Sequence, residues 1–186
     1  MQNTRTPPLQ PDHSAITVRP VFAEEWPQAI GVLNTVYVGG GYTSAEKAKT
    51  LFHRDTLEPA GVVLVAVDQR SVLGVVLLLH PGSDLAQVAN DGEAEFRLLA
   101  VSPHARQRGA GELLVRRCIQ LSASPPHAAK TLVMWTRPQM VAALRMYDRL
   151  GFRRAPDRDA QLDPLPAGSP ALERWVYCRA LDPLNL

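Results

Sequence analysis

The sequence predicts an α/β protein in which helices cover both faces of a mixed sheet. Two runs of β-branched and other apolar residues, Val62–Val67 and Val72–Leu79, flank the turn Asp68-Gln69-Arg70-Ser71 and predict an antiparallel hairpin. Between Ala94 and Thr136 the order strand, helix, strand predicts a crossover connection. The chain has 186 residues, 46% hydrophobic and 20% charged, which suits one well-filled domain.

The first part of the chain alternates between periodic segments and breakers. Met1–Ser14 is rich in proline and polar residues, and we expect a disordered tail ahead of a domain over residues 15–182. Apolar and polar residues alternate over Ile16–Phe22 and predict a strand. Apolar residues at helical spacing predict a helix over Glu24–Val38, which three consecutive glycines then end.

A second helix follows the glycines. Thr43 and Glu46 have the spacing of a capping box, so we expect Thr43 to cap a helix that continues to about Leu57. The remaining predicted elements, in chain order, are strand Ala94–Val101, helix Gly109–Ser122, strand Thr131–Thr136, helix Gln139–Leu150, strand Phe152–Ala155, loop Asp157–Pro170 and strand Arg174–Ala180.

Composition excludes several classes of protein. The net charge is +2 and the sequence has no long basic run, so no nucleic-acid partner is expected. No apolar stretch is long enough to span a bilayer. Cys118 and Cys178 both fall within regular elements, which favours a reducing compartment. We therefore expect a soluble cytoplasmic protein, either a monomer or a homodimer.

The segment after strand Ala94–Val101 predicts a site for phosphate groups. The turn Arg106–Gly111 is rich in arginine and glycine and opens a helix, whose first main-chain N–H groups have no intrahelical acceptor. Gly109 and Gly111 have no side chain, so a diphosphate can approach the backbone, and Arg106 and Arg108 supply guanidinium groups for it. The alternative is an ordinary strand-to-helix turn with solvated arginines.

Two motifs resemble the GCN5-related N-acetyltransferase (GNAT) superfamily. Arg106-Gln107-Arg108-Gly109-Ala110-Gly111 resembles its glycine-rich signature, and Ala143–Phe152 resembles its later segment Ala-x-x-Leu-Tyr-Glu-x-x-Gly-Phe. The resemblance implies a single-domain, GNAT-like fold with a central, mostly antiparallel twisted sheet of about seven strands. Met140 stands where the family often has asparagine, so Gln139 is the expected replacement for that contact.

The resemblance also implies which residues hold acetyl-CoA. The backbone of the strand would pair with the pantetheine arm, and the N–H groups from Gln107 to Glu112 would hold the pyrophosphate. The predicted cofactor-binding residues are Leu99, Ala100, Val101, Arg106, Gln107, Arg108, Gly109, Ala110, Gly111, Glu112, Gln139 and Ala143. The N–H of Leu99 is the implied oxyanion donor. No spacing of histidine, cysteine and carboxylate residues predicts a metal site.

Acyl transfer to an amine needs a proton donor for the departing thiolate and a route for the amine proton. Tyr147 is the candidate acid, because a phenol stays protonated at neutral pH; the alternative is a buried core tyrosine. Glu95 is the candidate base. Alternation along the strand places Glu95, Arg97 and Leu99 on one face and Phe96, Leu98 and Ala100 on the other, so a Glu95–Arg97 ion pair or a base acting through water stays open.

The sequence therefore predicts an N-acetyltransferase that moves an acetyl group from acetyl-CoA to a primary amine of a small molecule or peptide, by direct attack in a ternary complex. The acceptor pocket would include Val36–Thr43, Asp157–Pro170, Trp135 and Trp175. The main alternative is a non-catalytic acyl-CoA-binding regulatory module. A nucleotide-phosphate binder using the same helix is disfavoured, because the Lys-Ser/Thr ending of a P-loop is missing.

Overall fold

The computed structural model describes residues 16–69, 71–161 and 173–182. These ranges contain seven strands and five α-helices. The strands are β1 (Thr17–Pro20), β2 (Gly61–Val67), β3 (Val72–Leu79), β4 (Glu93–Val101), β5 (Thr131–Thr136), β6 (Arg153–Arg154) and β7 (Trp175–Ala180). The helices are α1 (Trp26–Leu33), α2 (Ala45–Leu51), α3 (Arg54–Ala60), α4 (Ala110–Ser122) and α5 (Val141–Arg149).

All seven strands lie in one sheet with the order β1-β2-β3-β4-β5-β7-β6. Every neighbouring pair is antiparallel except β4 and β5, which run parallel. The predicted hairpin of β2 and β3 is confirmed, and so is the crossover through α4 that joins β4 to β5. The sheet is therefore mixed and mostly antiparallel, as predicted.

The sheet has a hydrophobic cluster on each face. On one face α4 and α5 pack through Leu114, Val115 and Met146 against residues such as Phe96 and Leu132. On the other face, α1, α2 and α3 pack against β2 and β3 in a second cluster of buried residues, which includes Trp26, Leu33, Ala48, Phe52, Leu57, Val65 and Leu77. The prediction of helices on both faces is confirmed.

The first predicted helix is divided into three parts. A short 3₁₀ turn, Ala23–Glu25, precedes α1, and a π-helical turn over Asn34–Val38 follows it. The side-chain amide of Asn34 donates to the carbonyl of Ile30 at 3.0 Å, which marks the change in winding. Side-chain periodicity does not distinguish a π turn from α-helix over five residues, and such turns are frequent at functional sites.

The second predicted helix is also divided. Its cap is Ser44 rather than Thr43, because the Ser44 hydroxyl accepts from the N–H of Lys47 at 3.2 Å. The chain leaves helical geometry at Phe52, and His53 caps α3 by accepting from the N–H of Asp55.

Two predictions fall wholly or largely on residues that are not described. The predicted tail Met1–Ser14 lies outside the described residues, and so does most of the predicted loop Asp157–Pro170, apart from a 3₁₀ turn over Pro156–Gln161. No helix in the described ranges combines the length and the apolar character that crossing a bilayer requires.

Candidate active site

Strands β4 and β5 pair only at their N-terminal ends. Glu93, Ala94 and Glu95 lie opposite Thr131, Leu132 and Val133, and the two strands then diverge. A cavity of about 510 Å³ opens where they diverge, between the segments 96–99 of β4 and 134–136 of β5. Main-chain groups on the two facing edges are therefore available to a ligand.

A β-bulge interrupts β4 at the same place. Leu98 and Leu99 together lie opposite the single residue Val76, and Leu98 has a positive φ of 58°. The bulge reverses the alternation of side chains, so Phe96 packs on the α4 face while Ala100 packs on the opposite face. The prediction that Phe96, Leu98 and Ala100 share one face was wrong for this reason.

Tyr37, on the π-helical turn, reaches the bulge from the neighbouring layer. Its hydroxyl donates to the carbonyl of Leu99 at 3.1 Å. Burial raises the pKa of Tyr37 well above that of a free phenol, so the hydroxyl remains a donor. This contact attaches the helical layer to the open edge of β4 beside the cavity.

The rest of the cavity wall comes from α2, α3, β5, α5 and the loops between them. Tyr37, Tyr42, Thr43 and Trp135 all line the cavity, as the predicted acceptor pocket requires. Trp175 does not line the cavity; it packs at the edge of the cluster on the α4 face. Sequence reasoning missed several further lining residues, which include Lys47, Leu51, Phe52, Thr136, Arg137, Met140 and Arg174.

Tyr147 lies on α5 and contributes to the cavity wall. Only 3% of the residue is exposed, and its ring packs among those of Phe96, Phe152 and Tyr177. Burial raises the pKa of Tyr147 above the ordinary phenol value, so it is protonated throughout the neutral range. The two interpretations of this residue are thus compatible, since it is a core tyrosine and also faces the cavity.

Glu95 does not line this cavity. It lines a smaller cavity of about 240 Å³ together with His127 and the loop before β4. One carboxylate oxygen, Oε2, accepts hydrogen bonds from the N–H groups of Gln87, Val88 and Ala89 at 2.9, 2.9 and 3.1 Å. The other oxygen, Oε1, is buried and has no hydrogen-bond partner in the described part of the chain.

The contacts of Glu95 favour a positioning role. The segment it holds includes Gln87, whose side-chain oxygen accepts from the Trp135 indole at 2.8 Å within the cavity wall. Arg97 forms no ion pair with Glu95 among the described residues; its guanidinium donates to the carbonyl of Leu85 at 2.5 Å. Glu95 therefore lies outside the cavity that Tyr147 lines.

The predicted phosphate-binding turn has a distinctive backbone. Gln107 and Gly109 both have left-handed φ values, 64° and 84°. The N–H of Leu113 donates to the Gly109 carbonyl at 3.0 Å as the first turn of α4 closes. The preceding N–H groups, those of Ala110, Gly111 and Glu112, therefore have no intrahelical acceptor and are directed toward the helix N-terminus.

The two glycines of this turn have different roles. Gly109 adopts a conformation that L-residues rarely adopt, whereas a Cβ on Gly111 would lie 3.3 Å from Val101 Cγ2 and 3.6 Å from Met146 Sδ. Gly111 thus also allows α4 to approach β4 and α5, and its approach by a diphosphate stays a prediction. The close approach also places the end of β4 directly beside the start of α4.

The polar side chains of the turn differ from expectation. Arg108 bonds to Asp68 in the β2–β3 turn at 3.2 Å, so its guanidinium is already paired. Arg106 is exposed, with no ion pair or hydrogen bond of its side chain among the described residues. The Glu112 carboxylate binds Arg116 and Arg149, which leaves its N–H as the group that faces the helix N-terminus.

The two cofactor-binding residues predicted on α5 and in the loop before it differ in their position relative to the cavity. Ala143 is half-buried and lines the cavity, whereas Gln139 is exposed and does not. Met140 lines the cavity itself, and its sulfur accepts from the Thr136 hydroxyl at 3.5 Å. The structure thus gives no support to Gln139 as a replacement for the family asparagine.

Comparison with known proteins identifies the family. A sequence profile described as the acetyltransferase (GNAT) family matches residues 20–152. Mycothiol acetyltransferase of Mycobacterium leprae (strain Br4923) is 30% identical over 154 residues, which cover 78% of this chain and 49% of that protein. The chain thus spans about half the length of this curated relative.

Solved structures share the fold at low sequence identity. A GNAT-family acetyltransferase from Staphylococcus aureus Mu50 has a TM-score of 0.67 and 16% identity, over 90% of this chain and 100% of that chain. The PaiA N-acetyltransferase from Thermoplasma acidophilum, in complex with coenzyme A, has a TM-score of 0.64 and 14% identity, over 89% and 99%. The profile match covers well over half of the sequence, and the chain described here belongs to the acetyltransferase (GNAT) family.

Proposed function

We propose that this acetyltransferase moves the acetyl group of acetyl-CoA to a primary amine of a small molecule or peptide, by direct attack in a ternary complex. The observation that carries the proposal is the continuity of three features along β4. The cavity, the bulged open edge and the N-terminus of α4 follow one another along the chain between Phe96 and Gly111.

The residues present fit acetyl-CoA. The unpaired N–H groups of Ala110, Gly111 and Glu112, with the helix dipole behind them, suit a pyrophosphate. Among the described residues, the edge of β4 over Leu99, Ala100 and Val101 pairs with no strand on the β5 side and suits the amides of the pantetheine arm. Arg106 is exposed and would be free to bind a phosphate, whereas Arg108 would first have to leave Asp68.

Within that frame we assign roles to the residues at the cavity. Acetyl-CoA supplies an activated thioester. Tyr147 holds the proton that the departing thiolate needs, because burial keeps its phenol neutral. The main chain at the bulge, Leu98 and Leu99, provides donors for the negative charge that develops on the carbonyl oxygen. Glu95 positions the Gln87–Ala89 segment, and it reaches the amine proton only through water.

The cysteines support direct attack over a covalent route. Cys118 is buried within α4, and burial raises the pKa of its thiol well above the usual value. Burial also raises the pKa of Cys178, which lies in β7 beside Arg158. A thiol that stays protonated is a poor nucleophile.

The test combines binding with turnover. Calorimetry measures acetyl-CoA binding, and thiol release is then followed with a panel of primary amines. We expect binding together with amine-dependent release of coenzyme A, and no acetylated protein by mass spectrometry when amine is omitted. Binding with no release on any amine would instead support the regulatory module, and no binding would refute both functions.

A further inference from the structure

The charged residues that line the large cavity all have the same sign. Lys47, Arg97, Arg137 and Arg174 contribute to its wall, and no aspartate or glutamate does so among the described residues. The whole chain is nearly balanced, with 20 lysines and arginines against 18 aspartates and glutamates. The excess of cations is therefore a local property of this cavity.

Arg137 is the best-defined of these cations. It follows β5 directly, and its guanidinium donates to the main-chain carbonyl of Tyr42 at 2.8 Å and lies 5.6 Å from the Tyr42 ring centroid. Burial lowers the pKa of Arg137, and the nearby positive charge of Arg174 lowers it further. A guanidinium has five N–H donors, so most of its donors remain available beside the cavity.

Arg97 and Lys47, like Arg137, form no ion pair with any residue that the structure describes. The guanidinium of Arg97 donates to the Leu85 carbonyl, and burial lowers its pKa despite the opposing influence of Glu95. Lys47 is exposed at the cavity on α2 and forms no ion pair with another described residue. Lys49, in contrast, points its ammonium at Glu46 on the same helix, at 3.1 Å.

These cations are separate from the site proposed for the phosphates of acetyl-CoA. None of the residues between Ala100 and Leu113 lines the cavity, whereas the N–H groups that suit a pyrophosphate lie on α4. Arg97 and Arg137 are half-buried and hydrogen-bond to carbonyls, so they attract an anion more strongly than fully solvated cations do, because the local dielectric is lower than that of water. The aromatic side chains of Tyr42 and Trp135 line the same cavity.

We infer that the acceptor amine carries an anionic oxygen group, a carboxylate or a phosphate, which Arg97, Arg137 and Lys47 bind while the amine is acetylated. This inference rests on the proposed function, since it names the substrate class of the same site. Arginine suits both anions because its planar fork can bind two oxygens at once.

The experiment compares acceptors that differ only in charge. The amino acids from 4-aminobutanoate to 6-aminohexanoate are each assayed against the corresponding carboxamide. The acceptor 3-aminopropylphosphonate is assayed as well, to test a phosphate-like anionic group. The long spacing keeps the amine pKa similar in each pair. We expect kcat/KM to be at least roughly 10-fold higher for the anionic acceptor than for its carboxamide, because one charge-assisted contact is enough to produce a difference of that size.

Variants of the cationic residues then test which of them produces the preference for anionic acceptors. Arg137→Gln should lower kcat/KM for the anionic acceptors by about tenfold, leave that for the carboxamides within about twofold, and leave the KM for acetyl-CoA unchanged. Arg145→Gln, on the exposed face of α5, is the matched control. Lys47→Gln against Lys49→Gln repeats the comparison at exposed positions, where misfolding is not a concern.

Two results would overturn the inference: equal or better use of the carboxamides, or an equal loss for both acceptor types in Arg137→Gln. Calorimetry separates this from failure of the proposed function. If no amine is acetylated, tight binding of the aminoalkanoates to wild type and weak binding to Arg137→Gln still support an anion site. Absence of such binding contradicts it.

Discussion

The main-chain N–H of Phe152 donates to the carbonyl of Tyr147 at 3.0 Å, and the rings of these two residues pack with centroids 5.7 Å apart. The intervening Gly151 has a φ of 83°, and its N–H donates to the carbonyl of Asp148. This is a Schellman motif with its accompanying hydrophobic contact. The motif that ends α5 therefore also fixes the ring of Tyr147 at the cavity.

Tyr147→Phe should lower kcat by roughly 100-fold or more, because the hydroxyl is the proposed proton donor. The KM for acetyl-CoA should change little, since the ring and its packing against Phe152 are retained. Steady-state thiol release measures both parameters.

Tyr177→Phe is the matched control for that variant. Tyr177 belongs to the same aromatic group, with its ring centroid 6.4 Å from that of Tyr147, but it does not line the cavity. Its variant should keep nearly full activity. Unchanged turnover in Tyr147→Phe would remove the phenol from the mechanism.

Gly109→Ala should weaken acetyl-CoA binding by about tenfold, because a left-handed L-residue costs roughly 1–2 kcal/mol and relaxing that strain moves the N–H groups of α4. Gly92→Ala is the control, since Gly92 has a φ of 77°, open space where a Cβ would lie, and a place in the chain just before β4, outside the turn that opens α4. Both variants should lose similar thermal stability, and calorimetry should separate them by affinity. Equal affinities would show that the turn does not hold the cosubstrate.

Substitutions at Glu95 distinguish positioning from general base catalysis. Glu95→Gln keeps an oxygen that can accept from Gln87, Val88 and Ala89, so we expect a decrease in kcat of less than about tenfold and an unaltered pH profile. Glu95→Ala leaves those donors unpaired and should lower the free energy of unfolding by about 3 kcal/mol. A 100-fold loss in Glu95→Gln, with loss of the low-pH limb, would identify a base instead.

Stability should decline at alkaline pH. Burial raises the pKa values of Tyr37 and Tyr147 in the folded chain, whereas an unfolded phenol has a pKa of about 10. Below that pH both states keep the protons and stability is complete. Above it only the unfolded chain releases them, so each group reduces the free energy of unfolding by about 1.4 kcal/mol per pH unit.

Urea unfolding between pH 8 and pH 11 measures this decline. Tyr147→Phe removes one of the two phenols, so its slope above about pH 10 should be shallower than that of wild type. An identical slope would mean that the Tyr147 hydroxyl ionises as readily in the folded state as in the unfolded chain.

The fold could be predicted from the sequence because its signals are local. The β-branched runs of β2 and β3 and the apolar stripe of α4 reflect periods of two and 3.6 residues. The π turn at Tyr37 and the break at Phe52 change the winding over a few residues without changing the overall periodicity. They were therefore missed.

The candidate site was harder to predict than the fold, because it depends on contacts between residues that are distant in the sequence. The bulge lies at two leucines, Leu98 and Leu99, and no glycine or proline there indicates it in the sequence. The pairing of β4 with β3 imposes the bulge instead. Arg108 and Asp68 are 40 residues apart in sequence, so no local sequence pattern indicates that they pair. Tyr147 and Ala143, which the sequence puts four residues apart on one face of a helix, both line the cavity.

The divergence of β4 from β5 has a mechanical consequence. Three residue pairs form the seam between a four-stranded half and a three-stranded half of the sheet in the described part of the chain. A small molecule that bonds to both open edges bridges the halves, and it stabilises the native state according to its concentration and affinity. Melting temperature can thus serve as a general detector of occupancy, even for compounds that the enzyme holds without converting.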